Sequence, residues 1–171
     1  MKAVAFGVLL MTALSWSCGS AYGQNSTTDA RADLTLHIED VSPKGGMVRL
    51  GLYDRARYPD NDSVPIASAD VKATPGEMTI TLHNIPIGTY AVQVFQDINS
   101  NNKMDTTFLG LPEEPFGFSQ DARPFLSKPS FDEVKFDLKV GANLQVIHLQ
   151  NSVTSSPEER ARDAVRARRL Q

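Results

Sequence analysis

The sequence predicts an all-β fold: a single seven-stranded antiparallel β-sandwich, immunoglobulin-like or transthyretin-like, with a short C-terminal tail that is helical or disordered. Three observations lead there. Apolar residues recur at every second position in several short runs, the period of a strand with one buried face. Turn clusters rich in Gly, Pro, Ser and Asn separate those runs. No stretch of the body reads convincingly as a helix.

Taken in order, DLTLHIEDV (33–41) places Leu34, Leu36 and Ile38 on one face, with Thr35, His37 and Glu39 on the other. The turn cluster SPKGG (42–46) leads into MVRLGLY (47–53), where Val48, Leu50 and Leu52 align, so the two runs read as a hairpin. A long polar loop over residues 54–65 precedes a weak strand at about 67–73 and the turn Thr74, Pro75, Gly76. MTITLHN (78–84) and TYAVQVFQ (89–96) alternate again, aligning Ile80 with Leu82 and Tyr90 with Val92 and Val94. Between them Pro86 sets φ and Gly88 permits a tight bend. The last pair, 133–140 and 143–150, reads as a second hairpin turning at Gly141 and Ala142.

The ends carry different information. Lys2, a dozen-residue apolar run over 3–14 and the small-residue exit Ala21, Tyr22, Gly23 have the order of a secretory signal peptide. That run is shorter than the ~20 residues of a membrane-spanning helix, and no later stretch is apolar enough to span. The expected organisation is a signal peptide at 1–23, a disordered lead-in at 24–32, the sandwich domain at 33–151 and a charged tail at 152–171. The protein is then periplasmic or extracellular. Its one cysteine, Cys18, leaves the mature chain without a disulfide, or serves as a lipid anchor in the alternative lipoprotein reading.

The formal charge is −3. Removing Lys2 (+1) and the 157–171 tail (five Arg against three acids, +2) leaves −6 on the body. An acidic body excludes nucleic acid as a partner, since phosphates require basic surface. Within the tail Ser155, Ser156, Pro157, Glu158 and Glu159 form a helix-start pattern, but after it only Val165 and Leu170 are large and apolar.

QDINSNNKMD (96–105) is the stretch that carries chemistry. Counted from Asp97, side-chain oxygens fall at positions one, three, five and nine: Asp97, Asn99, Asn101 and Asp105. Lys103, at seven, offers its backbone carbonyl. This is the opening rhythm of an EF-hand loop, in which alternate residues of a tight curl turn inward and short oxygen-bearing side chains reach a cation. The donor set suits Ca²⁺ rather than Mg²⁺, which gives up its waters reluctantly. Position six is Asn102 instead of Gly, and position twelve is Phe108 instead of Glu, so Glu113 or Glu114 would have to supply the missing carboxylate. Spacing alone leaves a second reading open, a polar turn held by its own side-chain-to-backbone hydrogen bonds.

The stretch IPIGTYAVQVFQDINSNNKMD, followed by LGLPEEPFGFS, resembles a secreted bacterial family catalogued as domain of unknown function 2141. The matching residues are Gly88, Thr89, Tyr90, Asp97, Asn99, Asn101, Asp105, Gly110, Pro112, Glu114, Gly117, Phe118 and Ser119. The resemblance implies a signal peptide, a β-sandwich and no established activity, and it selects Glu114 over Glu113 as the extra ligand. Gln96 stands where that pattern has His and Asn102 where it has Gly, so chemistry resting on the His is lost here.

Other chemistry finds little footing. Ser119, in GFSQD, lacks the second glycine and the strand-to-helix setting of a nucleophile elbow. His37, His83 and His148 sit singly in strand-like runs. Phe95, Phe108, Phe116 and Phe118 read as a satellite core pinning the long loop, with a hydrophobic platform for a ligand as the second reading. The function expected is a non-enzymatic envelope or extracellular module with a Ca²⁺ loop formed by Asp97, Asn99, Asn101, Lys103, Asp105 and Glu114, binding an unidentified envelope or extracellular ligand. The alternatives are a small hydrolase using the carboxylates Asp97, Asp105, Glu113 and Glu114, and a lipid-anchored accessory protein.

Overall fold

A computed structural model describes residues 30–124 and 127–151. The expected leader, most of the lead-in and the tail lie outside those residues. Eight strands run in the described chain: β1 (Arg31–Val41), β2 (Met47–Tyr53), β3 (Ala67–Lys72), β4 (Gly76–Pro86), β5 (Gly88–Asp97), β6 (Phe116–Phe118), β7 (Phe136–Leu138) and β8 (Asn143–His148). A 3-10 turn, Ser119–Asp121, and one helical turn, α1 (Phe131–Val134), lie between β6 and β7. Among the described residues no helix is long and apolar enough to cross a membrane.

The strands form two sheets, as the alternation predicts. One runs β4-β1-β8; the other runs β3-β2-β5-β6, with β7 also pairing β5. The inward rows are the ones read from the sequence. Leu34, Leu36 and Ile38 of β1 face Val48 and Leu52 of β2 and Val92 and Val94 of β5 in one cluster, all at most 2 % exposed. Two non-glycine residues with positive φ, Asp40 (60°) and Asn84 (58°), sit at register shifts in the β1–β4 ladder. Each shift inserts one residue, so Val41 and Ile85 return to the buried face although they break the strict alternation. Asp33 holds the Asn84 bulge by accepting its backbone N–H at 2.9 Å.

Pairing departs from the sequence expectation in two places. The runs 33–41 and 47–53 are adjacent in sequence but belong to opposite sheets, so the 42–46 turn is a crossing between layers and not a hairpin. The final pair also separates: β7 joins β5 antiparallel while β8 lies parallel to β1. Residues 131–134, of which 133 and 134 were expected to open a strand, wind into α1 because Ser130 and Glu133 form a capping box, Glu133 accepting the Ser130 N–H at 2.7 Å. Gly141, at φ 106°, then turns the chain while the Asn143 side chain bonds Lys139 N, Lys139 O, Gly141 O and Asp33 O. That knot ties the turn to β1, which directs β8 into the other sheet. Strand β6 was not anticipated, which brings seven expected strands to eight.

A second, smaller core lies on the outer face of the five-stranded sheet. Tyr58, Ala91, Phe116, Phe118, Phe131 and Val134 are buried together, with Tyr53, Phe95 and Met104 partly buried against them. The 54–65 loop is therefore docked: Tyr58 donates its hydroxyl to Pro129 O at 3.0 Å, and Lys128 Nζ reaches Tyr58 O at 2.6 Å. Gly117 faces the other way, where a Cβ would fall 2.5 Å from Ile147 Cγ2, so the approach of β6 to β8 requires glycine.

Truncating Leu36, fully buried in the middle of β1, should lower stability by about 2–5 kcal/mol. The exposed neighbour His37 should tolerate alanine within about 0.5 kcal/mol. Urea denaturation of both variants measures the contrast, and equal losses would contradict the assignment of faces.

Candidate functional site

The site is built where β5 runs out of the sandwich. Its last two residues, Gln96 and Asp97, are polar yet fully buried, so each must find partners inside the protein. Gln96 points to the 42–46 turn: its Oε1 accepts the Ser42 N–H at 2.8 Å, and its Nε2 donates to Ser42 O at 2.9 Å and Gly45 O at 2.7 Å. Gly46 then packs directly on the strand end. A Cβ there would lie 2.1 Å from Asp97 O and 2.6 Å from Ile98 Cα, and its φ of 85° already disfavours a side chain.

Asp97 faces the opposite side of β5. Its Oδ2 accepts from Arg49 Nε at 2.7 Å and from Asn102 N at 2.8 Å, and its Oδ1 accepts from Asn101 N at 3.0 Å. Burial pushes its pKa up, but the Arg49 guanidinium and the two loop amides outweigh it and hold the carboxyl below its ordinary range. Arg49 is held firmly protonated, chiefly by Asp97, and its other arm reaches Asp70 at 2.7 Å. One carboxylate thus anchors both the β2–β5 pairing and the first turn of the loop.

Glu114 is the second anchor. It folds back under the loop, 4 % exposed, with Oε1 accepting Ile98 N at 2.7 Å and Oε2 accepting Asp105 N at 3.2 Å. The backbone closes beside it, Glu113 N donating to Asp105 O at 2.9 Å. Glu113 itself is exposed. With both ends held, the intervening residues coil through side-chain-to-backbone bonds. Asn99 Oδ1 accepts Asn101 N at 3.0 Å, Asn101 Oδ1 accepts Lys103 N at 2.8 Å, and Asn102 takes the left-handed conformation, φ 66°.

The structure therefore brings Asp97, Asn99, Asn101, Asp105 and Glu114 into one loop but sorts them into two layers. Asp97 and Glu114 lie beneath, committed to backbone amides and Arg49. Asn99, Asn101 and Asp105 form the rim, where Asn99 Nδ2 and Asn101 Nδ2 donate to Asp105 Oδ2 and Oδ1 at 2.6 and 2.9 Å. Lys103 is exposed and contributes its amide to the coil. Among the described residues no three His, Cys, Asp or Glu side chains converge as a metal site, so the rim's capacity for a cation rests on the neutral oxygens of the two asparagines as well as on Asp105.

Three partners were missed by reading the sequence. Arg49, the counter-ion of Asp97, stands alone as a charge on the outward face of MVRLGLY, and that isolation was the available signal. Gln96 was noted only as a departure from His, although it clamps a turn. Gly46 was read as a turn residue, while the requirement comes from the strand end pressed against it. The other readings divide. Ser119 Oγ is sealed in the interior, accepting Val92 N at 2.9 Å and donating to Val134 O at 2.6 Å, which makes it a structural pin. His148 ends β8, buried between Glu39 and Asp121 with ring nitrogens 3.0 and 3.1 Å from their carboxylates. Phe116 and Phe118 join the second core and Phe95 packs on it, but Phe108 is 96 % exposed and pins nothing there.

Comparison with known proteins gives one family match. A family model described as an uncharacterised protein conserved in bacteria, DUF2141, matches residues 36–146. No curated protein matches the chain, and no solved structure does.

Replacing Asp97 by alanine strips an acceptor from Arg49 and two amides and should cost about 3 kcal/mol, the low end for breaking a buried pair because Asp70 retains Arg49. Since the Asp97 carboxyl is held below its unfolded value, its contribution is fully present above about pH 4 and disappears as pH falls through the folded value. Asp97→Asn should accordingly flatten the acid limb of a stability-versus-pH curve measured by denaturant titration. In Gly46→Ala the strained φ and the blocked Cβ should together lower the unfolding free energy from denaturant titration by more than about 1 kcal/mol.

Proposed function

With the chain belonging to the bacterial family DUF2141, we propose that it is an exported, non-enzymatic binding or structural module whose 97–105 loop takes up Ca²⁺. The observation that carries this reading is the rim: two asparagine amides close on both oxygens of the Asp105 carboxylate, above a loop backbone clamped by Asp97 and Glu114. An amide turned by 180° exchanges N for O without changing shape. Turned so, Asn99 and Asn101 would offer oxygens beside Asp105 where they now offer hydrogens, giving up the Asn101 and Lys103 N–H bonds that their Oδ1 atoms now accept, and a cation would have to replace both sets of bonds. The Lys103 carbonyl and water would complete an oxygen shell of the size Ca²⁺ takes. Asp97 and Glu114 serve in this reading as supports that hold the loop, accepting three and two N–H bonds respectively, rather than as free ligands.

Export rests on the charge, apolar run and small-residue exit of residues 1–23, and periplasmic or extracellular Ca²⁺ concentrations suit a weak site with one rim carboxylate. The hydrolase alternative has less support. Asp97 and Glu114 each accept two or more N–H donors, which leaves neither free to exchange a proton with a substrate.

Thermal unfolding in millimolar Ca²⁺, in Mg²⁺ and in EDTA tests the reading. Ca²⁺ at 100 times its dissociation constant should add about 2.7 kcal/mol, a rise of about 5–10 °C for a domain of this size, with a smaller rise in Mg²⁺. Asp105→Ala should abolish the Ca²⁺ shift and leave the EDTA midpoint nearly in place, whereas Asp97→Ala should lower the midpoint under every condition. An unchanged melting temperature up to about 10 mM Ca²⁺, weaker than extracellular modules need, would make the loop a polar turn.

A further inference from the structure

The sandwich is sealed along one side and open along the other. On the sealed side β6 meets the end of β8: Phe116 and Gln150 exchange backbone bonds of 2.9 and 2.8 Å, and Gly117 lies against Ile147. On the open side both sheets end, one in β3 and the other in β4, with the connection 73–75 between them. Among the described residues β1 is the only strand that pairs β4. Residues of an antiparallel ladder turn alternately towards one neighbour and the other, so every second residue of β4 presents its N–H and C=O to the open side. The two edges are unequally defended. β3 has six residues and carries exposed Asp70 and Lys72, the kind of charge that keeps edge strands from pairing. β4 has eleven residues, and its run Met78, Thr79, Ile80, Thr81, Leu82 holds no charge, Pro or Gly. The register with β1 is constant over that run. It is bounded by Gly76, φ 91°, and by the Asn84 bulge, φ 58°, whose carbonyl accepts from Arg31 Nη1 at 3.1 Å. A straight, uncharged edge of this length is a template for a further strand.

We infer that β4 pairs antiparallel with β4 of a second copy of this chain, about a twofold axis through Ile80, which joins the two three-stranded sheets into one continuous sheet. The sequence around that point is self-complementary. Ile80 meets Ile80, Thr79 meets Thr81, Met78 meets Leu82, and Glu77 meets His83 of the second copy. Odd-numbered residues of this run lie on the outward face, while Ile80 and Leu82 are buried, so the alternation of one sheet continues into the other. No like charges oppose each other. A slip of one residue would set core positions against outward ones. A slip of two would set His83 against Pro75 or Glu77 against Ile85. Symmetry thus favours a second copy over a foreign strand: the contact is isologous and closes after two chains, leaving β3 and its charges at the rim. Backbone bonds supply most of the affinity in such edge pairing, and the small area makes the association concentration-dependent.

The test is sedimentation equilibrium of the full chain over a rising concentration series. Every sample carries the same residues 1–29, so any contribution of the apolar run 3–14 is common to all. The mass of the unsubstituted chain should rise with concentration towards twice that of the monomer. Thr79→Lys/Thr81→Lys sets lysine against lysine across the axis and should hold the mass at that of the monomer. Thr79→Glu/Thr81→Glu should do the same through the opposite charge. An equimolar mixture of the two variants should recover the dimer, because each Lys then faces a Glu, and misfolded chains would not be rescued in this way. An unsubstituted chain that stays monomeric at every concentration would overturn the inference. Association unchanged in the Lys variant would place the contact away from β4 and overturn it equally. Loss of association in both variants without recovery on mixing would overturn the antiparallel pairing about Ile80.

Discussion

A carboxylate with no solvent exposure has to be matched by donors, and the geometry of the end of the sandwich where β5 runs out follows from how Asp97 is matched. Arg49 reaches it across the β2–β5 ladder, and Asn101 and Asn102 reach it from a loop that must curl to bring their amides down. An uncompensated carboxylate at this depth would be several kcal/mol uphill. The curl of the loop is therefore tied to the register of the sheet. Gln96, one residue earlier and facing the other way, binds the 42–46 turn in the same manner. Two consecutive polar residues at one strand end connect both faces of the five-stranded sheet to the loops above it.

The arrangement separates a buried support from an exposed rim. Asp97, Glu114, Gln96 and Arg49 are buried or nearly so and use their hydrogen-bonding capacity within the protein. Asn99, Asn101, Lys103 and the 107–110 hairpin are presented outward on that base. The same division explains why the acidic residues nearest in sequence differ in role: Glu114 is drawn under the loop by two amides, while Glu113 remains at the surface.

The two sheets are closed by long-range contacts that local pattern does not encode. The chain crosses between layers after β1, β3, β4 and β7, and the parallel β1–β8 pair brings the first and last strands together. A hairpin is the default for neighbouring runs because loop closure is then short. Here that default is overridden twice, by Gln96 filling the 42–46 turn and by Asn143 bonding back to β1 through Asp33 O. Both are side-chain bonds between residues far apart in sequence.

Period-two alternation by itself determined which side chains are inside: Leu34, Leu36, Ile38, Val48, Leu52, Val92 and Val94 are buried as read, because an apolar face loses free energy only by leaving water and the pleat sends alternate residues the same way. The Asp/Asn spacing likewise determined that residues 97–105 would coil, since short side chains two or three positions from a backbone amide bond it locally. Partner choice was settled only in three dimensions. Nothing local says that Arg49 faces Asp97, that Phe116 and Phe118 turn inward while Phe108 stands in water, or that β8 runs parallel to β1. These depend on which surfaces meet after the chain has crossed between the sheets. Pattern reports what a residue wants to bury or bond, and only the packed fold supplies the neighbour that satisfies it.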